Sequence, residues 1–147
     1  MKKRDRIYNK YNGLCAYSGT PLKKDWQIDH IHPKCRAHFY DSEAMKKCCK
    51  IKGDDINDEA NLVPCQRIIN HYKRALDLDT FRNNWLGRLH VRLRKLPKNP
   101  RTEKSIRHKE YLLEVAELFG ITENKPFGRM FYFETIEASH TKRSRGE

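Results

Sequence analysis

Residues 34–60 show almost no hydrophobic periodicity, and they separate two short apolar segments that do. That separation constrains the first half of the chain more than any other feature. Before it, Trp26-Gln27-Ile28-Asp29-His30-Ile31 alternates apolar and polar residues as a half-buried strand does, and Pro33 ends the run. After it, Asn61-Leu62-Val63-Pro64 reads as a second short strand, followed by a helix over residues 66–76. Residues 34–60 hold Gly53 and six acids, and read as a long loop with a helical turn near 43–49. A short helix over residues 5–12, closed by Asn12-Gly13, and a turn at Ser18-Gly19-Thr20-Pro21 precede the first strand.

The second half is helical. Asp79 is placed as the N-cap of a helix running to about Leu96, before Pro97. Phe81, Trp85, Leu89, Leu93 and Leu96 form its apolar face, into which Arg82 and Arg92 intrude. A second helix is expected over residues 103–119, with Gly120 as its stop and a broad apolar arc of Tyr111, Leu112, Val115, Ala116 and Phe119. Phe131-Tyr132-Phe133 reads as a terminal strand, and residues 139–147 as a frayed tail. The fold class is therefore α+β. One domain of 147 residues is expected, with a basic helical extension over 82–138.

The chain carries a net charge of +12, which points to a polyanionic partner because phosphate contacts release counterions. Residues 82–109 contribute ten Lys or Arg against one acid, Glu103. No window approaches the roughly 20 apolar residues that cross a bilayer, and no apolar stretch follows the basic N-terminus. The expectation is a soluble, cytoplasmic protein without a membrane partner. Its five cysteines (15, 35, 48, 49, 65) are odd in number and form no C-x-x-C pair. They read as reduced and structural, and no structural zinc is expected.

Two segments carry chemistry. In the first, Asp29 offers a hard oxygen ligand suited to Mg²⁺ or Mn²⁺, and His30 beside it titrates near neutral pH as a general base should. His32 shares a strand face with His30 and is a candidate substrate contact. In the second, Asn70 shares a helix face with Arg67, Lys73 and Arg74, setting an amide oxygen for a metal beside three cations for phosphates. Phosphodiester hydrolysis needs that combination. Taken singly, each feature has a plainer explanation: a hydrogen-bonded core histidine, a turn asparagine at Asn61, a solvated basic face at Lys73-Arg74.

Taken together, residues 11–81 resemble the HNH family of nucleases, whose ββα-metal core holds one divalent cation. The Asp-His-Ile-x-Pro of that family is matched by Asp29 to Pro33. Its Asn-Leu-Val-Pro is matched by Asn61 to Pro64, and its helical Asn or His three residues before Lys by Asn70 and Lys73. The resemblance implies that Asp29 and Asn70 hold the metal, with His71 the alternative ligand if the helix register slips by one. It implies that His30 takes a proton from the attacking water and that Asn61 restrains the loop and orients His30. Arg67 and Lys73 would steady the phosphate. The partner implied is DNA; a double-strand break from one active site would need a dimer or two visits.

The chain departs from relatives that carry two zinc-binding C-x-x-C pairs. The first pair reads Cys15-Ala16-Tyr17-Ser18 here and the second Gln66-Arg67-Ile68-Ile69, so one of four ligands remains. The form Cys15-Ala16-Tyr17-Ser18-Gly19 resembles the zinc-free version in the nuclease domain of RNA-guided CRISPR effectors. Two other classes stay in view, a catalytically inactive HNH-like nucleic-acid-binding module and a small zinc-binding adaptor.

Overall fold

The structure, a computed structural model, describes residues 1–32 and 57–144. Among the described residues the protein is mixed α+β, with five α-helices of seven or more residues and a two-stranded antiparallel sheet. The helices are α1 (Lys3–Lys10), α2 (Arg67–Lys73), α3 (Leu89–Lys95), α4 (Glu103–Leu118) and α5 (Tyr132–Ser144). The strands are β1 (Gln27–His30) and β2 (Leu62–Cys65). Two compact units emerge, residues 1–78 with 130–147, and residues 79–129. The turn expected at residues 43–49 lies outside the described residues, as do Cys35, Cys48 and Cys49.

In the first unit β1 and β2 pair with Asp29 opposite Val63 and His30 opposite Leu62. Every β2 residue is buried, which explains its unbroken apolar reading. Pro64 has no N–H to give the ladder, but its carbonyl accepts from Ala16 N at 2.9 Å and so ties the Cys15 turn to the sheet. Ile7 of α1 packs with Trp26 and Leu62 in one apolar cluster. Arg4 closes its edge, stacking 3.7 Å from the Trp26 ring and donating to the Trp26 carbonyl at 2.7 Å. α2 is shorter than the expected 66–76 because Arg74 leaves helical geometry with φ 52° and ψ −137°.

Phe131-Tyr132-Phe133 is not a strand. It opens α5, and the Glu134 carboxylate reaches back to accept from Phe131 N at 2.9 Å, the reciprocal contact of a helix start. Phe131 and Phe133 are buried, and both make edge-to-face contacts with Tyr17, at 5.3 and 6.1 Å. Tyr132 N and Phe133 N donate to the carbonyls of Tyr17 and Ala16. The alternating aromatic pattern that suggested a strand is a docking site at a helix N-terminus. The helix continues to Ser144.

The second unit corrects another expectation, because residues 79–96 are not one helix. An α-turn at Leu78–Thr80 widens into a π-helix, Phe81–Leu86, and α3 starts afresh after Arg88. Gly87 permits the break: a Cβ there would meet the Asn83 carbonyl at 2.4 Å. The two arginines that intruded on the apolar face explain the rest. Arg92 donates to the carbonyls of Asn84 and Trp85, both at 3.0 Å, where the helix ladder is interrupted, and Arg82 donates to the Arg129 carbonyl at 2.6 Å. α4 begins at Thr102, whose hydroxyl accepts from Ser105 N, and stops at Gly120 with φ 66°, as its sequence predicts. Leu112, Val115 and Ala116 are buried, and Phe119 stands edge-on to Phe81 and Phe127.

Burial of tyrosines makes folding sensitive to alkali. Burial, with a smaller contribution from Glu137, pushes the Tyr11 phenol up to about 12. The unfolded phenol ionises near 10, so between about pH 10 and 12 the unfolded state binds fewer protons and stability falls as pH rises. The expected loss from Tyr11 is about 2–3 kcal/mol across that window. Urea midpoints measured from pH 9 to 11.5 should decline more gently in Tyr11→Phe than in the wild type. Parallel declines would exclude Tyr11 as the source.

Candidate active site at the end of the first strand

Asp29 and His30 end β1, and the chain turns away at Ile31 and His32. Asn61, fully buried, fastens that turn. Its side-chain oxygen accepts from His32 N at 3.0 Å, its amide donates to the His32 carbonyl at 3.2 Å, and its own carbonyl accepts from Ile31 N at 2.9 Å. Three bonds from one residue leave the backbone after His30 little freedom. Asn61 thus acts on residues 31 and 32, and reaches His30 only through the chain.

The His30 ring is half-buried, and its Nε2 lies 3.1 Å from Asn57 Oδ1. An amide oxygen only accepts, so in this pair Nε2 is the donor, and in the neutral ring the lone pair lies on Nδ1. Asn57 had no signal in the sequence, since it sits at the end of a stretch without periodicity.

α2 crosses β1 with its strand-facing side set by spacing. Residues 27 and 29 share one strand face, about 6.7 Å apart. Residues 70 and 73 share one helix face with a rise of about 4.5 Å. Asn70 therefore meets Gln27, its amide donating to Gln27 Oε1 at 2.7 Å, while Lys73 meets Asp29. The Lys73 side chain has no exposure. Its ammonium lies 3.1 Å from Asp29 Oδ2 and donates to the His30 carbonyl at 3.0 Å. Lys73 is thus an internal counter-charge for Asp29, where the sequence suggested a surface cation waiting for phosphate. Tyr17 completes the group, donating its hydroxyl to the same Asp29 Oδ2 at 2.6 Å. Burial, then the Asp29 charge, pushes the Tyr17 phenol well above its ordinary value, so it remains a donor.

The other candidates stand apart from this knot. Arg67 and His71 are exposed on α2, and Arg74 is exposed beyond its end in a backbone region that side-chain-bearing residues rarely enter. His32 is half-buried. Among the described residues no hydrogen bond joins Asn70 to Asp29.

Two side chains here offer oxygen of the kind a hard divalent cation takes. Asp29 carries an oxygen, Oδ1, that takes no hydrogen bond or ion pair from the described residues, and the Asn70 amide, with its nitrogen committed to Gln27, has its oxygen to offer. Among the described residues no three His, Cys, Asp or Glu side chains converge, so a metal here would rest partly on amide oxygen. Cys15 and Cys65 are free and buried. Burial pushes the Cys15 thiol up, but hydrogen bonds from Cys65 and Ser18 outweigh it and bring it to about 6. Burial pushes the Cys65 thiol well above its ordinary value.

No helix among the described residues is long and apolar enough to cross a membrane. Compared with known proteins, the chain matches no family model, no curated protein and no solved structure.

Proposed function

We propose that the chain is a metal-dependent endonuclease that hydrolyses DNA phosphodiester bonds at a ββα-metal site formed by β1, β2 and α2. The observation that carries this reading is the placement of His30, a strand-end imidazole whose Nε2 meets Asn57 Oδ1, immediately beside the Asp29 carboxylate, whose contacts from Tyr17 and Lys73 fall on Oδ2.

Asp29 and Asn70 would hold one Mg²⁺ or Mn²⁺. Bound there, the cation supplies positive charge that offsets charge building on the phosphate and the departing 3′ oxygen. His30 Nδ1 accepts the proton of the attacking water, and Asn57 keeps the opposite nitrogen protonated throughout. Asn61 fixes the backbone on which His30 rides. Arg67 and Arg74, both exposed, are suited to flanking phosphates. In the second unit Arg88, Lys95, Lys98, Arg101 and Lys104 are exposed and would add backbone contacts without reading sequence. The products would be 5′-phosphate and 3′-hydroxyl ends.

One observation favours a second reading, an HNH-like DNA-binding module without activity. Lys73 already neutralises Asp29, so the site can fold without a divalent cation. Supercoiled plasmid separates the two. The enzyme should nick it in Mg²⁺ or Mn²⁺, and chelation should abolish nicking while duplex affinity falls steeply with added salt. Salt-sensitive binding with no nicking in either metal would establish the binding module instead.

A further inference from the structure

We propose that Tyr17 is a positioning residue for the cation-binding carboxylate, holding Asp29 by Oδ2 so that Oδ1 alone faces the metal. The inference rests on the nuclease reading of the Asp29 site and adds a residue that reading does not contain.

A carboxylate can rotate about its last bond and offer either oxygen, or both, to a cation. Here the rotation is fixed asymmetrically. The Tyr17 hydroxyl at 2.6 Å and the Lys73 ammonium at 3.1 Å both fall on Oδ2, from opposite ends of the sequence neighbourhood: the Cys15 turn and the end of α2. No hydrogen bond or ion pair from the described residues is made to Oδ1. A hydroxyl that close to a carboxylate makes a charge-assisted bond, roughly twice as strong as a neutral one.

Tyr17 is itself closely packed. Its ring is edge-on to Phe131 and Phe133, its carbonyl accepts from Tyr132 N, and it is 1% exposed. Phenylalanine would satisfy those apolar contacts equally well, and burying a hydroxyl costs free energy unless it is used. The use the geometry supplies is the Asp29 bond. The Lys73 ammonium is shared between Oδ2 and the His30 carbonyl, whereas the Tyr17 hydroxyl reaches Oδ2 from a ring packed edge-on to Phe131 and Phe133. Groups that orient a metal ligand from behind typically change metal affinity by 10–100-fold when removed.

The test measures Mn²⁺ binding to the full chain, by the electron paramagnetic resonance of free Mn²⁺, without reference to cleavage. Wild type should show one saturable site that Asp29→Ala eliminates, and Tyr17→Phe should bind about tenfold or more weakly with an unchanged circular dichroism spectrum. Wild-type affinity in Tyr17→Phe would overturn the proposal and leave the nuclease reading standing. A wild type without an Asp29-dependent site would remove that reading and this inference together. If Tyr17→Phe does not fold, the wild type still decides. Its Tyr17 hydroxyl proton, protected from exchange, should shift in NMR spectra as Mg²⁺ is added, and an unmoved resonance overturns the proposal.

Discussion

His30→Ala is expected to lower Mg²⁺-dependent plasmid nicking by about a thousandfold, the middle of the range for a lost general base, while leaving duplex affinity within about twofold. That corresponds to about 4 kcal/mol of transition-state stabilisation. The fold should not respond, because the structural duties of residue 30 are carried by its backbone. Its carbonyl accepts from Lys73 and its strand pairing is with Leu62, and an alanine keeps both. The imidazole bonds to Asn57 at an exposed position. Asn57→Ala should act in the same direction and more weakly, since it frees the tautomer without removing the base. Nicking by His30→Ala at the wild-type rate would take the imidazole out of the reaction, whatever the metal dependence.

Much of this site was legible because its parts are local. Asp29-His30 at a strand end and Asn61 at the head of the next strand are short patterns whose consequences the chain itself enforces. The strand read from 26–31 is present at Gln27–His30, but its burial does not follow the alternation, since Asp29 is buried and Ile28 half-buried; the capping signals of α4 act within a few residues, and the structure follows them. What was illegible depends on tertiary placement. Tyr17 lies twelve residues before Asp29 in the Cys15 to Gly19 segment, whose resemblance to zinc-free relatives assigns it no role, and nothing local says its hydroxyl meets a carboxylate. Phe131 and Phe133 alternate as a strand would, but the Glu134 reach-back and the fixed partner Tyr17 give the helix the advantage. On residues 79–96 the helical period misled, because Phe81–Leu86 is a π-helix that buries Leu86 where the period placed Trp85, and Arg92 serves the carbonyls left at the break. Lys73 shows the limit most clearly, because a lysine on a basic helix reads as surface until the structure buries it.

That burial has a large expected consequence. Lys73→Met should destabilise the chain by about 3–5 kcal/mol, the usual cost of leaving one member of a buried ion pair uncompensated. The Asp29 side chain is 10% exposed, so water can relieve little of the charge. The His30 carbonyl loses its ammonium donor as well. At the size of this chain the loss corresponds to a drop in Tm on the order of 10 °C. Removing the stranded charge should recover much of it, so Asp29→Asn with Lys73→Met is expected to be more stable than Lys73→Met alone, and their coupling can be read from the double-mutant cycle. Mn²⁺ should also raise the Tm of Lys73→Met more than that of the wild type, because a cation beside Asp29 replaces the charge the lysine supplied. A phosphate-binding lysine would behave in the opposite way, weakening DNA affinity and leaving Tm in place. Thermal melts and duplex titrations of Lys73→Met therefore decide whether this cation serves the fold from inside or the substrate from outside.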